Sequence, residues 1–140
     1  MERETTLMAI INITEDSFSD GGLYINFRSA INHSSLCIQN GAKILDLGAQ
    51  STRPGASEVG ADVEIKRLIP LIKELKLIHP EIPISVDTYH HSVAKKALIA
   101  GADFINDISG GRHDPEIFNV IADYNCKYIL THSRGNSKTM

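Results

Sequence analysis

Residues 82–107 read IPISVDTYHHSVAKKALIAGADFIND, and this stretch decides the fold class. The apolar run at 82–87 predicts a short strand, and the spacing of apolar residues over 90–99 predicts a helix that Gly101 ends. A second apolar run at 104–107 predicts another strand. Strand, helix and strand in so few residues indicate a βαβ unit, in which the two strands are parallel.

The same alternation continues on both sides of this unit. The remaining predicted elements are, in chain order, strand 7–12, helix 27–40, strand 44–48, helix 61–77, helix 115–124 and strand 127–131. We expect Pro70 to bend or divide the 61–77 helix, because proline removes one backbone N–H. The strand at 7–12 is apolar nearly throughout, which predicts burial on both faces. The order βαβαβαβαβ predicts an α/β fold with a parallel sheet.

Two architectures fit this order of elements. A doubly wound sheet of five strands would be complete in 140 residues. A (β/α)8 TIM-type barrel needs about 250 residues, so the chain would supply its first four β/α units plus strand five. Composition does not choose between them, and the choice depends on the motifs.

Composition and charge narrow the possible ligands. The formal net charge of −3 does not favour nucleic acid or an anionic membrane as a partner. No apolar run reaches the length of a membrane span, and the N-terminus has no signal-peptide pattern. Cys37 and Cys126 lack metal-ligand spacing, which favours a reducing, cytoplasmic location. An anionic small molecule would have to be held by a few placed donors.

Every predicted strand ends in polar residues. In parallel α/β folds the carboxyl ends of the strands form the ligand-binding face, so these side chains are expected to converge there. Each one alone could equally cap a turn, but five strands in succession ending this way indicate a polar site. The residues are Asn12, Asp46, Asp87, Asn106, Asp107 and His132.

Two loops add chemistry to these strand ends. Residues 12–22, NITEDSFSDGG, are rich in hydroxyls and carboxylates and end in a glycine pair. Residues 49–56, AQSTRPGA, place hydroxyls beside Arg53, an arrangement that suits an anion such as phosphate. Neither loop has the glycine and lysine spacing of a Walker A or dinucleotide-binding motif.

These segments together resemble the signatures of the dihydropteroate synthase family of pterin-binding enzymes. The resemblance covers essentially the whole chain, in order and at the right spacing. The matching segments are INITEDSFSDGG at 11–22, GAKILDLG at 41–48 running into STRPG at 51–55, ISVDT at 84–88, INDI at 105–108, and THSRGN at 131–136.

The resemblance implies a (β/α)8 barrel in folate biosynthesis, with residues 1–140 forming the N-terminal part of one pterin-binding domain. Its reaction joins 4-aminobenzoate to 6-hydroxymethyl-7,8-dihydropterin diphosphate and releases diphosphate, with Mg²⁺ as cofactor. Asp87 and Asn106 match the residues that hydrogen-bond the pterin ring, with Asp46 also on the substrate-binding side. Asn12 matches the residue near the metal, and a neutral oxygen ligand suits a hard cation.

The remaining matches fall in the two loops. Thr52 and Arg53 match positions that engage the diphosphate, and Arg53 would stabilise its developing charge. Phe18 and Pro54 match positions that pack around 4-aminobenzoate and its sulfonamide mimics. Asp20 lies where the first loop closes over the site, and the resemblance assigns it, with Arg53, to catalysis.

The chain also departs from the family pattern. Glu15 stands where proline is common, and Ala49 and Gln50 replace the usual glycine and glutamate. Further pterin and diphosphate ligands, and most contacts of the family's homodimer, belong to later elements than residue 140. We therefore expect the 140-residue stretch alone to be inactive or nearly so.

Two other functions stay open at this stage. A methyltetrahydrofolate-dependent methyltransferase shares the strand-three aspartate and the strand-four asparagine, but has no need for the segment 51–55 or the serine-rich first loop. A non-catalytic, truncated relic could keep the ligand positions by descent alone.

Overall fold

Five strands and four helices alternate along the part of the chain that the structure describes. The structure, a computed structural model, describes residues 5–14, 20–50 and 59–132, with residues 20–25 described as backbone only. The predicted element order is confirmed. The elements are β1 Met8–Asn12, α1 Asp20–Gln39, β2 Ile44–Gly48, α2 Ala61–Ile78, β3 Ile84–Asp87, α3 His91–Ala100, β4 Phe104–Asp107, α4 Ile117–Tyr124 and β5 Lys127–Leu130.

The strand order decides between the two architectures. All four strand pairs are parallel, and the strands lie side by side in the order β1-β2-β3-β4-β5. A doubly wound sheet reverses its strand order at a switch point, and this sheet has no reversal. Strands that follow one another around the sheet, each joined by a helix, are the arrangement of a (β/α)8 barrel. The fold is of the TIM-barrel type, represented by four β/α units plus β5.

The core lies between the sheet and the helices. Alternate strand residues point to opposite faces, and the face that the helices cover is apolar. Its central members are Leu45 and Leu47 of β2 and Val86 of β3, which pack against Leu71 and Leu75 of α2 and are fully buried. At roughly 25 cal/mol per Å² of apolar surface, burial of this layer is the main stabilising term of the fold.

The other face of the sheet is more open than the sequence predicts for β1. In β1 only Ile11 is buried, and Ile10, on the face away from the helices, is 66% exposed. The prediction that β1 is buried on both faces is therefore wrong for this chain. The reason is that β1 is an edge strand whose second face turns toward the barrel interior. In β2, which has a neighbouring strand on each side, four of five residues are buried.

Two helices differ from the sequence prediction. Helix α1 begins at Asp20 rather than near residue 27, so the glycine pair at 21–22 lies in its first turn and not in a loop. Helix α2 continues through Pro70 without division. Pro70 is exposed, and water can solvate the carbonyl that loses its partner.

The turn between β4 and α4 is organised by a buried carboxylate. Asp107 accepts hydrogen bonds from the backbone N–H groups of Ser109 and Gly111 and from the Tyr128 hydroxyl, each at 2.8 Å. Burial, followed by the hydrogen bond to Asp107, raises the pKa of Tyr128 above its usual range. Asp107 points away from the polar face of the sheet, so its function is to shape this turn.

No helix in the described part of the chain has the length and apolar character that crossing a bilayer requires.

Three glycine-to-alanine replacements should separate backbone strain from steric clash. Gly111 has φ +78° and a Cβ there would lie 2.2 Å from the Phe118 ring, whereas Gly41 has φ +101° with open space around it. Gly60 has neither problem. We expect losses of unfolding free energy of about 3 kcal/mol for Gly111→Ala, about 1 for Gly41→Ala and about 0.5 for Gly60→Ala, measured by urea unfolding. Equal losses in all three would contradict the packing described for this turn.

Candidate functional site

The strand register places three sequence-predicted residues and one glycine in one row across the sheet. Asn12 lies opposite Gly48, Gly48 opposite Asp87, and Asp87 opposite Asn106. All four are at or next to the carboxyl ends of their strands. Because they occupy equivalent register positions, their side chains leave the sheet on the same face, away from the helices. The predicted convergence of Asn12, Asp87 and Asn106 is confirmed in this row.

Gly48 makes room for two of these side chains. A Cβ atom at position 48 would lie 2.7 Å from Oδ1 of Asn12 and 3.7 Å from Oδ2 of Asp87. The amide oxygen of Asn12 and the carboxylate of Asp87 therefore approach each other over the bare backbone of β2. Glycine at this position is required by close approach, since its backbone conformation is ordinary.

One layer below this row, Asp46 holds Asn106 in place. The Asn106 amide nitrogen donates a hydrogen bond of 3.0 Å to Oδ2 of Asp46. This bond fixes the Asn106 amide so that its nitrogen faces Asp46 and its oxygen is available to a ligand donor. It also brings the predicted substrate-binding residue Asp46 together with Asn106 of the row.

Two buried polar atoms beneath the row have no partner among the described residues. They are Oδ1 of Asp46 and Oγ of Ser85, which lie opposite each other in the register of β2 and β3. Asp46 is 4% exposed and Ser85 is fully buried. Buried polar groups are normally hydrogen-bonded, so this pair indicates a site that is completed by a ligand or an ordered water.

Asp87 has a strongly perturbed pKa. Burial, and then the negative charges of Asp46, Glu64 and Asp107, raise the pKa of Asp87 from 3.8 to about 6. Each of these causes disfavours the charged carboxylate. A strained carboxylate beside unpaired polar atoms is typical of a ligand-binding site, because a ligand that donates hydrogen bonds to the carboxylate relieves the strain.

The structure does not test the predictions made for the two loops. Phe18, Thr52, Arg53 and Pro54 lie outside the described residues. Asp20 is the first residue of α1, and its side chain is likewise outside the described part. His132 follows β5 and is exposed.

Sequence reasoning missed several residues that shape the site. Gly48 and Ser85 belong to the row and to the layer below it, and strand alternation could have found them, since each lies two positions from a predicted site residue. Thr88 and Glu64, which form a buried hydrogen bond behind Asp87 at 2.7 Å, gave no such signal because Glu64 comes from α2. A glutamate in an amphipathic helix normally predicts solvent exposure.

Comparison with known families identifies the origin of this arrangement. A family profile described as "Pterin binding enzyme" matches residues 8–140, which is nearly the entire chain. The chain belongs to the pterin binding enzyme family. The matched residues include all four members of the polar row.

Individual relatives carry a more specific name. The chain is 48% identical over 138 residues to a protein from Synechocystis sp. named dihydropteroate synthase, and the match covers 99% of this chain and 47% of that protein. The chain thus spans about half the length of the curated relatives it matches.

The backbone of this chain superposes on solved structures of relatives. A dihydropteroate synthase from Anaplasma phagocytophilum with bound 6-hydroxymethylpterin-monophosphate superposes with a TM-score of 0.85 at 36% identity, covering 91% of this chain and 49% of that one. The Xanthomonas albilineans enzyme with 4-aminobenzoic acid superposes with a TM-score of 0.81 at 40% identity, covering 91% and 46%. The barrel assignment made from strand order is in accord with both.

The raised pKa of Asp87 predicts how stability depends on pH. The unfolded chain releases this proton near the ordinary value of 3.8, whereas the folded chain keeps it until about 6. The folded state therefore binds more protons in this window, and stability falls as pH rises from about 4 to 6 before levelling off. In Asp87→Asn this decline should be absent.

Urea unfolding of both proteins at intervals between pH 4 and 7 measures the difference. The free energy of unfolding of wild type, minus that of Asp87→Asn, should decrease as pH rises through this range. Parallel pH profiles would show that Asp87 is not strained.

Proposed function

We propose that the protein is a dihydropteroate synthase, which joins 4-aminobenzoate to 6-hydroxymethyl-7,8-dihydropterin diphosphate and releases diphosphate. The single observation that supports this most strongly is the cluster of Asp87, Asn106 and Asp46 at neighbouring strand ends, with unpaired buried atoms beneath it. Relatives named for this activity, and solved relatives with a pterin phosphate or 4-aminobenzoic acid, support the same substrates.

The hydrogen-bonding groups suit a pterin ring. The pyrimidine half of a pterin presents ring and amino N–H donors next to ring acceptors along one flat edge. An ionised Asp87 offers only acceptors, and Asn106, fixed by Asp46, offers its amide oxygen and its second N–H. The raised pKa of about 6 leaves Asp87 mostly ionised at pH 7 yet poorly solvated, so N–H donors of a ligand would satisfy it.

Asn12 fits the metal that the resemblance implies. Mg²⁺ usually keeps several waters and is bound through one or two protein oxygens together with substrate phosphates. Asn12 has its amide oxygen over Gly48, at the exposed end of β1, and the described residues contain no group of three histidine, cysteine, aspartate or glutamate side chains that would form a separate cage. A bound Mg²⁺ would neutralise the charge of the diphosphate as it leaves.

The reaction requires mainly that the protein hold its two substrates in position. The C–O bond between the pterin methylene and the diphosphate breaks, the arylamine forms a C–N bond to that carbon, and the amine loses one proton. An aromatic amine is neutral at pH 7, so no covalent nucleophile on the protein is needed. In this proposal Asp87 and Asn106 hold the ring at a fixed angle.

The loop residues complete the proposal. Thr52 and Arg53 would bind the diphosphate, and Phe18 and Pro54 would contact 4-aminobenzoate. Asp20 and Arg53 would take part in catalysis by stabilising the charge that develops when the bond between the pterin methylene and the diphosphate breaks. Free thiols at Cys37 and Cys126 support a reducing compartment, and we propose a cytoplasmic location. A homodimer stays a prediction.

The methyltransferase alternative shares the Asp87 and Asn106 pair, so those residues do not exclude it. The STRPG segment at 51–55 and the named relatives favour the synthase. A relic without catalysis would keep the pterin site yet form no product, so a turnover measurement separates it from the proposal.

Pteroate formation by the full natural protein that contains this chain tests the function directly. Wild type should form product from the pterin diphosphate and 4-aminobenzoate, and Asp87→Asn should lower kcat/KM by about 100-fold, because a charged hydrogen-bond acceptor is lost. Asp123→Asn, the same replacement at an exposed site on α4, serves as the control. Absence of product from wild type, or an unchanged Asp87→Asn, would contradict the proposal.

The pKa of Asp87 gives a second test through binding of 6-hydroxymethylpterin, which has no titrating phosphate. If the ionised carboxylate binds the ring, affinity should be about tenfold weaker at pH 5 than at pH 7.5, because only a minor fraction of Asp87 is ionised one unit below a pKa of about 6. Calorimetric titration of wild type and Asp87→Asn measures this. A wild-type affinity that does not change with pH would argue against contact between Asp87 and the ring.

Replacing Gly48 with alanine should weaken Mg²⁺ binding more than it changes the stability of the fold. A Cβ at position 48 meets the flexible end of Asn12 at 2.7 Å, so Gly48→Ala displaces the amide oxygen while the strand stays in place. We expect the free energy of unfolding to change by less than about 1 kcal/mol. The factor by which Mg²⁺ increases the affinity for the pterin diphosphate should be about tenfold smaller in Gly48→Ala than in wild type. The gain is the ratio of affinities with and without Mg²⁺, and an unchanged ratio would remove Asn12 from the metal site.

A further inference from the structure

Asp87 and Asn106 are each followed directly by a buried polar residue. Thr88 follows Asp87 and is 2% exposed, and Asp107 follows Asn106 and is fully buried. Successive residues of a strand point to opposite faces, so both of these buried residues lie on the helix side of the sheet. The ends of β3 and β4 therefore each carry one polar group that faces the site and a second that contacts the surrounding structure.

The Thr88 hydroxyl joins the end of β3 to two helices. It donates a hydrogen bond of 2.7 Å to Oε2 of Glu64, which is fully buried in α2. It also accepts a bond of 3.2 Å from the backbone N–H of His90, the residue that precedes α3. A hydroxyl suits this position because it can donate one hydrogen bond and accept another at the same time. One side-chain oxygen thus holds the turn from β3 into α3 and connects that turn to α2.

The backbone of Thr88 keeps the ends of β3 and β4 together. Its N–H donates a hydrogen bond of 3.1 Å to the Asn106 carbonyl, directly beyond the register pair of Asp87 and Asn106. The ladder between the two strands is thereby extended past the level at which their side chains enter the site. A displacement of Thr88 would break this bond and move the Asp87 carboxylate, since the two residues share a peptide bond.

Glu64 is a well-fixed acceptor for the Thr88 hydroxyl. Its Oε1 accepts a second hydrogen bond of 2.7 Å, from the Gln50 side-chain amide. Both oxygens of this buried carboxylate therefore have partners. Hydrogen bonds to a carboxylate are about twice as strong as those between neutral groups, and a buried acceptor that loses its donor is costly. The bond between Thr88 and Glu64 is thus the strongest side-chain contact that holds the end of β3 to a helix.

We propose that Thr88, bonded to Glu64, is a positioning residue that fixes the Asp87 carboxylate relative to its neighbour in the polar row. The inference rests on the proposed function, in which Asp87 and Asn106 bind the pterin ring. Thr88 faces the helices and makes no contact with substrate. It acts only through the place that it gives to Asp87.

Two replacements of Thr88 in the full natural protein separate the hydroxyl from the methyl group. Thr88→Val keeps the shape but leaves Glu64 and the His90 N–H each without a partner, so binding of 6-hydroxymethylpterin should weaken about tenfold or more. Thr88→Ser keeps the hydroxyl and should stay within about threefold of wild type. Calorimetric titration measures both. Thr6→Val, the same replacement at an exposed position ahead of β1, is the matched control and should leave the affinity unchanged.

Thr88→Cys covers the case in which Thr88→Val does not fold. A thiol is a weaker donor and acceptor than a hydroxyl, so the affinity of Thr88→Cys for the ring should lie between those of Thr88→Ser and Thr88→Val, about threefold or more below Thr88→Ser. An affinity of Thr88→Cys equal to that of Thr88→Ser, or of Thr88→Ser as low as that of Thr88→Val, would overturn the proposal.

Steady-state kinetics distinguish positioning from a loss of folded protein. In Thr88→Val, KM for the pterin diphosphate should rise about tenfold, while KM for 4-aminobenzoate at saturating pterin diphosphate should stay within about twofold of wild type. A variant that is only less folded would have a lower kcat with both KM values unchanged. That result would overturn the positioning role.

Amide hydrogen exchange of the protein without ligand gives a readout that does not depend on activity. The N–H groups of Thr88 and His90 should exchange about tenfold faster in Thr88→Val, with Leu47 of β2 unchanged. Unaltered exchange at Thr88 would overturn the proposal, because its bond to the Asn106 carbonyl would then not depend on the side chain. If wild type binds no pterin, the proposed function fails and the positioning role fails with it, whereas the exchange data still decide whether the hydroxyl holds the end of β3.

Discussion

The register of the parallel strands is the constraint on which the rest of the structure depends. It sets Asn12, Gly48, Asp87 and Asn106 at one level, and it sets Asp46 opposite Ser85 one layer below. A shift of one residue in any strand would turn its polar group toward the helices and an apolar one toward the site. The apolar layer against α2, with Leu45, Leu47 and Val86 fully buried, holds this register in place.

The site is held in place by the surrounding apolar layer rather than by favourable interactions among its own side chains. Asp87 is held among three other carboxylates and Asp46 keeps one oxygen without a partner, so this part of the molecule costs folding free energy. The buried apolar layer offsets that cost. A ring with N–H donors would satisfy these groups at once, and the same electrostatic arrangement that weakens the free protein would therefore strengthen its complex. This is the usual relation between a preorganised site and stability.

The fold could be predicted largely from the sequence, because periodicity distinguishes short apolar strands from amphipathic helices. The strand ends followed from the same pattern, and three of them, at Asn12, Asp87 and Asn106, meet as expected. The features that could not be predicted depend on where each residue or element lies in the folded chain. The continuous α2 depends on the solvent exposure of Pro70, the low burial of β1 depends on its edge position, and the buried Glu64 reads in sequence as one more surface charge. The hydrogen bonds of Gln50 could not be predicted either, because its partners lie 9 and 14 positions away along the chain.

The central claim is that Asp87 and Asn106 bind one planar heterocycle above Gly48. A crystal structure of the full natural protein with 6-hydroxymethylpterin tests this most directly. We expect the ring on the barrel-lining face, with its N–H edge on the Asp87 carboxylate and the Asn106 amide within hydrogen-bonding distance. A pterin bound elsewhere, with Asp87 and Asn106 both free of it, would contradict the account.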